Sequence, residues 1–220
     1  MTESLDLAGL ADRLIASQGP KRRIVAVAGA PGSGKSTFAE RLRDRIAERL
    51  PVEVVPMDGF HYDDMVLEAR GWRPRKGAPH TFDVDGFGAM LDRLRADDGR
   101  DVAIPVFDRS IEIARAGARI ITPEARLLIA EGNYLLLDDP DWALLRDRFD
   151  ATVFLDVPED EIEARLLDRW QGYGLDEAAI AAKLQENDLP NALLVMLRSV
   201  PADFVVKNVD RAPSDRVNTG

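Results

Sequence analysis

The segment Gly29-Ala30-Pro31-Gly32-Ser33-Gly34-Lys35-Ser36 constrains this chain more than any other, because it satisfies every position of G-x-x-x-x-G-K-[ST]. Glycines let the backbone curl until successive N–H groups converge on phosphate oxygens. A helix beginning there turns its positive end toward the same charge. Gly29 through Thr37 is thus the expected nucleotide-binding segment, with Lys35 bridging the β- and γ-phosphates and Ser36 ligating Mg2+. A glycine-rich turn that merely caps a helix is the alternative, and the flanking residues argue against it. Ile24–Ala28 is a short apolar run of the buried-strand type, and Phe38, Leu42, Ile46 and Leu50 recur at helical spacing up to Pro51. Val52–Met57 offers a second strand at once. Strand, loop, helix, strand is a βαβ unit, which predicts a parallel sheet.

Further apolar runs at Leu127–Ala130, Thr152–Leu155 and Phe204–Val206 bring the expected sheet to five strands. Val102–Phe107 and Ala118–Ile121 read as the arms of a hairpin-like insertion. Leu5, Leu7, Leu10, Leu14 and Ile15 predict an opening amphipathic helix, and Phe87–Leu94, Glu159–Trp170 and Glu177–Gln185 predict three more. Residues 59–80 read as a long loop rich in Gly, Pro, Trp and Arg, and loops of that length are usually functional. Asn187–Asn191 reads as a helix end. The fold class is α/β, a three-layer P-loop NTPase sandwich whose mostly parallel sheet carries helices on both faces. At 220 residues the chain suits a single domain over 1–220 rather than two.

Charge sharpens the choice of ligand. Lys and Arg number 29 against 39 Asp and Glu, so the net charge of −10 argues against a nucleic acid held by general electrostatics. An anionic ligand has to find a locally basic cleft instead. The absence of cysteine excludes disulfides and thiolate metal sites, and no apolar run predicts a signal peptide or a membrane partner, so the cytoplasm is the expected location. The oligomeric state is not readable from these residues.

Three carboxylates, Asp58, Glu131 and Asp156, stand just after predicted strands, where an open parallel sheet forms its ligand crevice. Asp58 is the candidate general base for a substrate hydroxyl, with a turn aspartate as the plain alternative. Glu131 follows an apolar run as a Walker-B acid does, and would hold Mg2+ beside Ser36. Asp156 is equally explained as a helix cap.

Pro56-Met-Asp58-Gly-Phe-His61-Tyr, Arg75-Lys76-Gly-Ala-Pro-His-Thr-Phe82-Asp83, Val106-Phe-Asp108-Arg109 and Glu131-Gly-Asn133-Tyr134 resemble the uridine kinase, phosphoribulokinase and bacterial pantothenate kinase superfamily. The resemblance spans about residues 20–208 and is strongest toward a bacterial branch of fructose-transport-system and nucleoside kinases. It implies ATP and Mg2+ as cofactors, a small-molecule hydroxyl acceptor, and Asp58 as catalytic base beside Lys35. It also implies an acceptor site drawn from His61, Arg75, Lys76, Phe82, Asp83 and Tyr134, covered by the hairpin with Asp108 and Arg109. The helix bearing Arg165 and Arg169 would be the lid, over about residues 160–190, its arginines reaching the transferring phosphate. Phe107-Asp108-Arg109-Ser110 departs from the Tyr-Asp-Phe segment and following His of uridine kinases, so the acceptor does not carry over.

Plainer readings compete at several positions. Arg165 and Arg169 share a helix face and would either clamp a polyphosphate or pair with Asp160 or Glu161. Arg109 would contact substrate or pair with Asp108. Trp170 would pack or cover adenine. Two other function classes also carry P-loops. Asp83-Val-Asp-Gly86 satisfies the D-x-x-G of a regulatory GTPase, yet no N-K-x-D guanine reader exists in the chain. An ATPase module driving a partner is the third class, and no L-S-G-G-Q-type segment supports it.

Overall fold

The structure is a computed structural model that describes residues 2–209, so Met1 and residues 210–220 of the expected domain lie outside the described residues. In chain order its first half comprises β1 (Glu3–Ser4), α1 (Leu7–Ala16), β2 (Arg23–Gly29), α2 (Lys35–Ala47), β3 (Val52–Pro56), α3 (Asp64–Ala69) and α4 (Val84–Ala96). β4 (Val102–Asp108), β5 (Ile113–Ile121), β6 (Leu127–Gly132), α5 (Pro140–Ala143) and β7 (Ala151–Asp156) follow. α6 (Glu159–Gly172), α7 (Glu177–Lys183), α8 (Leu189–Arg198) and β8 (Phe204–Lys207) complete it.

The main sheet has strand order β1-β8-β7-β2-β6-β3, and every pairing in it is parallel. It has six strands rather than five. The extra one, β1, is two residues long and carries no periodicity to betray it; its backbone simply completes the β8 edge, with Glu3 N–H on Asp203 O at 2.9 Å. β2 is the central strand, flanked by β6 and β7, and six of its seven residues are buried. Alternate residues face opposite ways. Val25 and Val27 pack with Leu10 and Leu14 of α1 and Leu42 and Ile46 of α2, while Ile24, Ala26 and Ala28 join Phe87 and Leu91 of α4 and Leu166 of α6. Helices on both faces are therefore the consequence of a strand that is apolar on both sides.

Three local readings are corrected. Residues 59–80 are a series of short helices rather than a loop: single turns at Met57–Phe60, Arg73–Arg75 and Pro79–Thr81, with α3 between, capped where Asp63 accepts from Met65 N–H at 2.9 Å. The hairpin's second arm begins at Ile113, because an exposed, charged strand lacks the apolar run by which strands are recognised. Asn187–Asn191 does not end a helix. α7 passes through a wide turn at Leu184–Asp188 straight into α8, with Pro190 in its first turn. Proline cannot donate to the carbonyl four residues back and crowds it, and a widened turn relieves that conflict.

The hairpin β4–β5 forms its own two-stranded antiparallel sheet and rests on the Asp58 turn. Contact is closest at Gly59, where an added Cβ would lie 2.4 Å from the Pro105 carbonyl oxygen. Backbone meets backbone there, so no side chain can yield. We expect Gly59→Ala to cost about 1–3 kcal/mol, the usual penalty of overpacking, read as a lower denaturation midpoint. An unchanged midpoint would show that the hairpin is free to lift.

Candidate active site

The glycine loop, Asp58 and Glu131 stand at the carboxyl ends of β2, β3 and β6. Gly32 and Gly34 take φ +80° and +78°, conformations that L side chains rarely adopt, so the P-loop can turn only with glycine there. Gly34 also begins α2 without a side-chain cap, leaving the first N–H groups for a ligand. Ser33 is fully buried with its hydroxyl unpartnered, as is the side-chain oxygen of Asn133. The open amides at the start of α2 fit a polyphosphate. Ser36 donates to Glu131 at 3.0 Å, and this pair of oxygen donors suits a Mg2+ that takes its other ligands from phosphate and water.

A cavity of about 790 Å3 opens from the loop toward the hairpin. Lys35, Arg73, Lys76, Arg109, Arg169 and Lys183 line it against three carboxylates, Asp58, Glu112 and Asp188. A chain of net charge −10 thus concentrates cations in one cleft. Pro31, Gly32, Gly34, Ser36, Thr37, His61 and Phe82 also line the cleft, while Gly29, Ala30 and Ser33 shape the loop from behind.

Not every expected residue faces that space. Arg169 does, but Arg165 turns away: it pairs with Glu161 at 2.9 Å and donates to the carbonyls of Ser33 and Asn208. It braces the P-loop backbone. Arg75 reaches Asn191 at 3.4 Å rather than the cleft, where Arg73 takes its place. Asp83 caps α4 through Gly86 N–H at 2.9 Å. Tyr134 is fully buried, and its hydroxyl donates to the Gly77 carbonyl at 2.6 Å, so it supports the acceptor loop from beneath. Asp108 accepts from Ser110 and Arg115, which frees Arg109 to pair with Asp58 at 2.7 Å. Arg109 therefore bonds the candidate base and not its own neighbour.

Sequence reasoning missed Asn133, Arg73, Lys183 and the inward role of Asn187 and Asp188. Asn133 belongs to the Glu131-Gly-Asn133-Tyr134 motif and Arg73 to the Arg-rich stretch 59–80, whereas Lys183, Asn187 and Asp188 have no spacing that points them inward. Trp170 neither simply packs nor stands free: its indole N–H donates to Asp188 at 2.6 Å, with the Lys183 ammonium 4.4 Å over its ring.

Charge states follow from burial and neighbours. Burial pushes the Glu131 carboxyl up to about 7, with the Asp58 charge adding to the effect. Burial likewise lowers the Lys35 ammonium and the His61 imidazole. For Asp58 burial pushes upward, but His61, Arg109, Lys35 and Arg169 outweigh it and hold the carboxyl below its usual range. His61 Nδ1 lies 2.8 Å from the Asp58 carbonyl, which can only accept, so Nδ1 carries the proton and Nε2 is left as an acceptor.

Glu131 sets a pH dependence whose sign is fixed. Its folded value lies above the ordinary glutamate value of 4.5, so its contribution to stability is complete below about 4.5 and is lost as pH rises through about 7. Glu131→Gln removes the charge that becomes costly. With a chelator and no nucleotide, the variant should match the parent at pH 5 and exceed it in denaturation midpoint at pH 8. Equal midpoints at both would mean that the carboxyl is ionised without penalty.

Residues 24–188 match the model of the phosphoribulokinase/uridine kinase family. A crystal structure from Silicibacter sp. TM1040, provisionally described as a fructose transport system kinase, is 45% identical with a TM-score of 0.86, covering 91% of this chain and 98% of that one. The uncharacterized protein YggC of Escherichia coli is 36% identical over 192 residues, 86% of this chain and 79% of its own. A Schizosaccharomyces pombe protein provisionally described as a uridine kinase is 33% identical over 199 residues, 86% of this chain and 84% of its own. The glycine loop, the carboxylates beside it and these matches agree: the chain belongs to the phosphoribulokinase/uridine kinase family.

Proposed function

We propose that this phosphotransferase moves the γ-phosphate of ATP to a hydroxyl of a sugar or sugar-like polyol, with a nucleoside as the next acceptor class. The supporting observation is that Lys35, Ser36 and Asp58 open onto one cationic cavity large enough for two small ligands side by side. P-loop amides and Lys35 hold the β- and γ-phosphates. Ser36 and Glu131 would hold Mg2+, which when bound would neutralise charge on the transferring group.

Asp58 aligns the acceptor hydroxyl and takes its proton as the oxygen bonds to the γ-phosphorus and the bond to the β–γ bridging oxygen breaks, leaving ADP. Its low pKa suits that task. In a loose transition state the hydroxyl becomes acidic only as the new bond forms, so alignment matters more than basicity. Arg109 must yield Asp58 to the acceptor; its own guanidinium is half-exposed, so water can take over its side of the pair. His61 Nε2 and the ring of Phe107 offer the acceptor a hydrogen-bond partner and an apolar wall. Arg169 faces the phosphates from the lid side. The choice of a sugar rests on the description of the Silicibacter relative, and the nucleoside on that of the S. pombe protein.

An ATP-consumption screen across sugars, nucleosides and vitamins tests the proposal, with Asp58→Asn as control. A true acceptor should give turnover that the variant lowers by about 10²-fold or more. Unchanged turnover in the variant removes Asp58 from the mechanism. Brisk ATP hydrolysis that no acceptor stimulates would favour an energy-coupling ATPase instead.

A further inference from the structure

The wide turn between α7 and α8 and the first turn of α8 carry one side chain each that the transfer chemistry does not use, Asn187 and Asn191. Asn187 donates from its amide nitrogen to the Lys76 carbonyl at 2.8 Å, and its oxygen accepts from Asn191 at 3.1 Å. Asn191 is 3% exposed and in turn accepts from Arg75 at 3.4 Å. One side-chain chain thus ties the turn to Arg75 and Lys76, the second of which lines the cavity. The next carbonyl along, that of Gly77, is held from the opposite direction by Tyr134. Two successive peptide groups are therefore fixed by two different bodies, one by the core and one by the lid.

The other end of the lid rests on the nucleotide loop. A Cβ on Gly32 would lie 3.0 Å from Leu166 of α6, and Arg165 of α6 donates to the Ser33 carbonyl at 3.3 Å. Trp170, at the far end of α6, bonds Asp188 in the wide turn at 2.6 Å. Contacts run without a gap from the P-loop through α6 and the turn to Lys76. A turn widened to i→i+5 is a costly interruption of a helix, and such turns collect at functional sites. Here its effect is to aim Asn187 out of the helix at another segment's backbone.

We infer that Asn187 is a positioning residue that couples the nucleotide end of the lid to the acceptor loop, so that loading the P-loop orders residues 76–82. The inference rests on the proposed function in one respect, that a nucleotide occupies Gly29–Thr37. Its consequence is a preferred order: the acceptor loop reaches its working shape after nucleotide binds. Asn187 borders the cavity, but its amide is engaged by the Lys76 carbonyl and by Asn191, so its effect would pass through the Lys76 peptide.

Hydrogen exchange tests this without knowing the acceptor. The probe is Mg2+ with a non-hydrolysable ATP analogue at saturating concentration, read on amides of 76–82, where Gly77 N–H bonds Thr81 and Thr81 N–H bonds Ala78. In the parent the analogue should slow exchange by about fivefold or more, the lower scale of a coupling between sites. Asn187→Asp keeps size and shape but cannot donate to the Lys76 carbonyl, and Asn187→Ala controls for the added charge. Both should bind the analogue, melt near the parent and lose the transmitted protection. Protection that persists in both variants, or none in the parent, overturns the inference while leaving nucleotide binding intact. Failure of the parent to bind the analogue would sink the proposed function and this coupling together.

Discussion

Burial of charge at the end of a parallel sheet is the constraint on which this structure turns. Lys35, Asp58 and Glu131 come from three different segments, and each is drawn away from water. Such a group is expensive unless something answers it. Part of the answer is internal: Ser36 on Glu131, Arg109 on Asp58. The rest is unmet in the protein alone, as the lowered Lys35, the raised Glu131 and the orphaned hydroxyl of Ser33 all show. A rigid frame can hold groups in so unfavourable a state, and β2, buried on both faces between β6 and β7, is that frame. Stability elsewhere is what keeps the site ready for an anion and a divalent cation.

How the frame was legible follows from the same physics. A strand buried on both faces must be apolar throughout, so Ile24–Ala28 and Leu127–Ala130 announced themselves, and the glycine loop between strand and helix fixed the direction of the sheet. β1 escaped because two residues at a sheet edge need only backbone partners. α8 escaped because Pro190 reads as the end of the preceding helix, and only a tertiary setting that accepts a widened turn lets the helical chain run on past it. In both cases the missing information was in the neighbours, not in the segment.

The site divides along the same line. Lys35, Ser36, Asp58 and Glu131 are set by short-range geometry, one loop and two strand ends, and the sequence placed them together. Arg75, Asp83, Arg165 and Tyr134 were assigned by segment, and their side chains turn to Asn191, the α4 amides, Glu161 and Gly77. A motif marks a stretch of backbone, whereas which side chain of that stretch meets the ligand depends on a register that spacing does not encode. Arg73 lining the cleft while Arg75 does not is the plainest case: two residues apart on a single helical turn, they face different ways.

Two covers close over the frame, and they differ in kind. The hairpin meets the Asp58 turn backbone to backbone, through Gly59 and Pro105, so its place is set by sterics and has little freedom. The lid meets the acceptor loop through amide hydrogen bonds, which in water exchange one partner for another at a net cost of only about 1 kcal/mol each. A rigid cover suits a surface that has to recognise the acceptor by shape. A cover held by a few amide bonds suits one that has to open for nucleotide on every turnover and close again on a defined geometry. The meeting point of the two is the Lys76 peptide. Its carbonyl is held by Asn187 of the lid, and its ammonium lies between Asp64 and the Glu112 carbonyl beside the hairpin turn. On the coupling inferred above, Lys76 is the place where movement of the lid would be converted into the shape of the acceptor site.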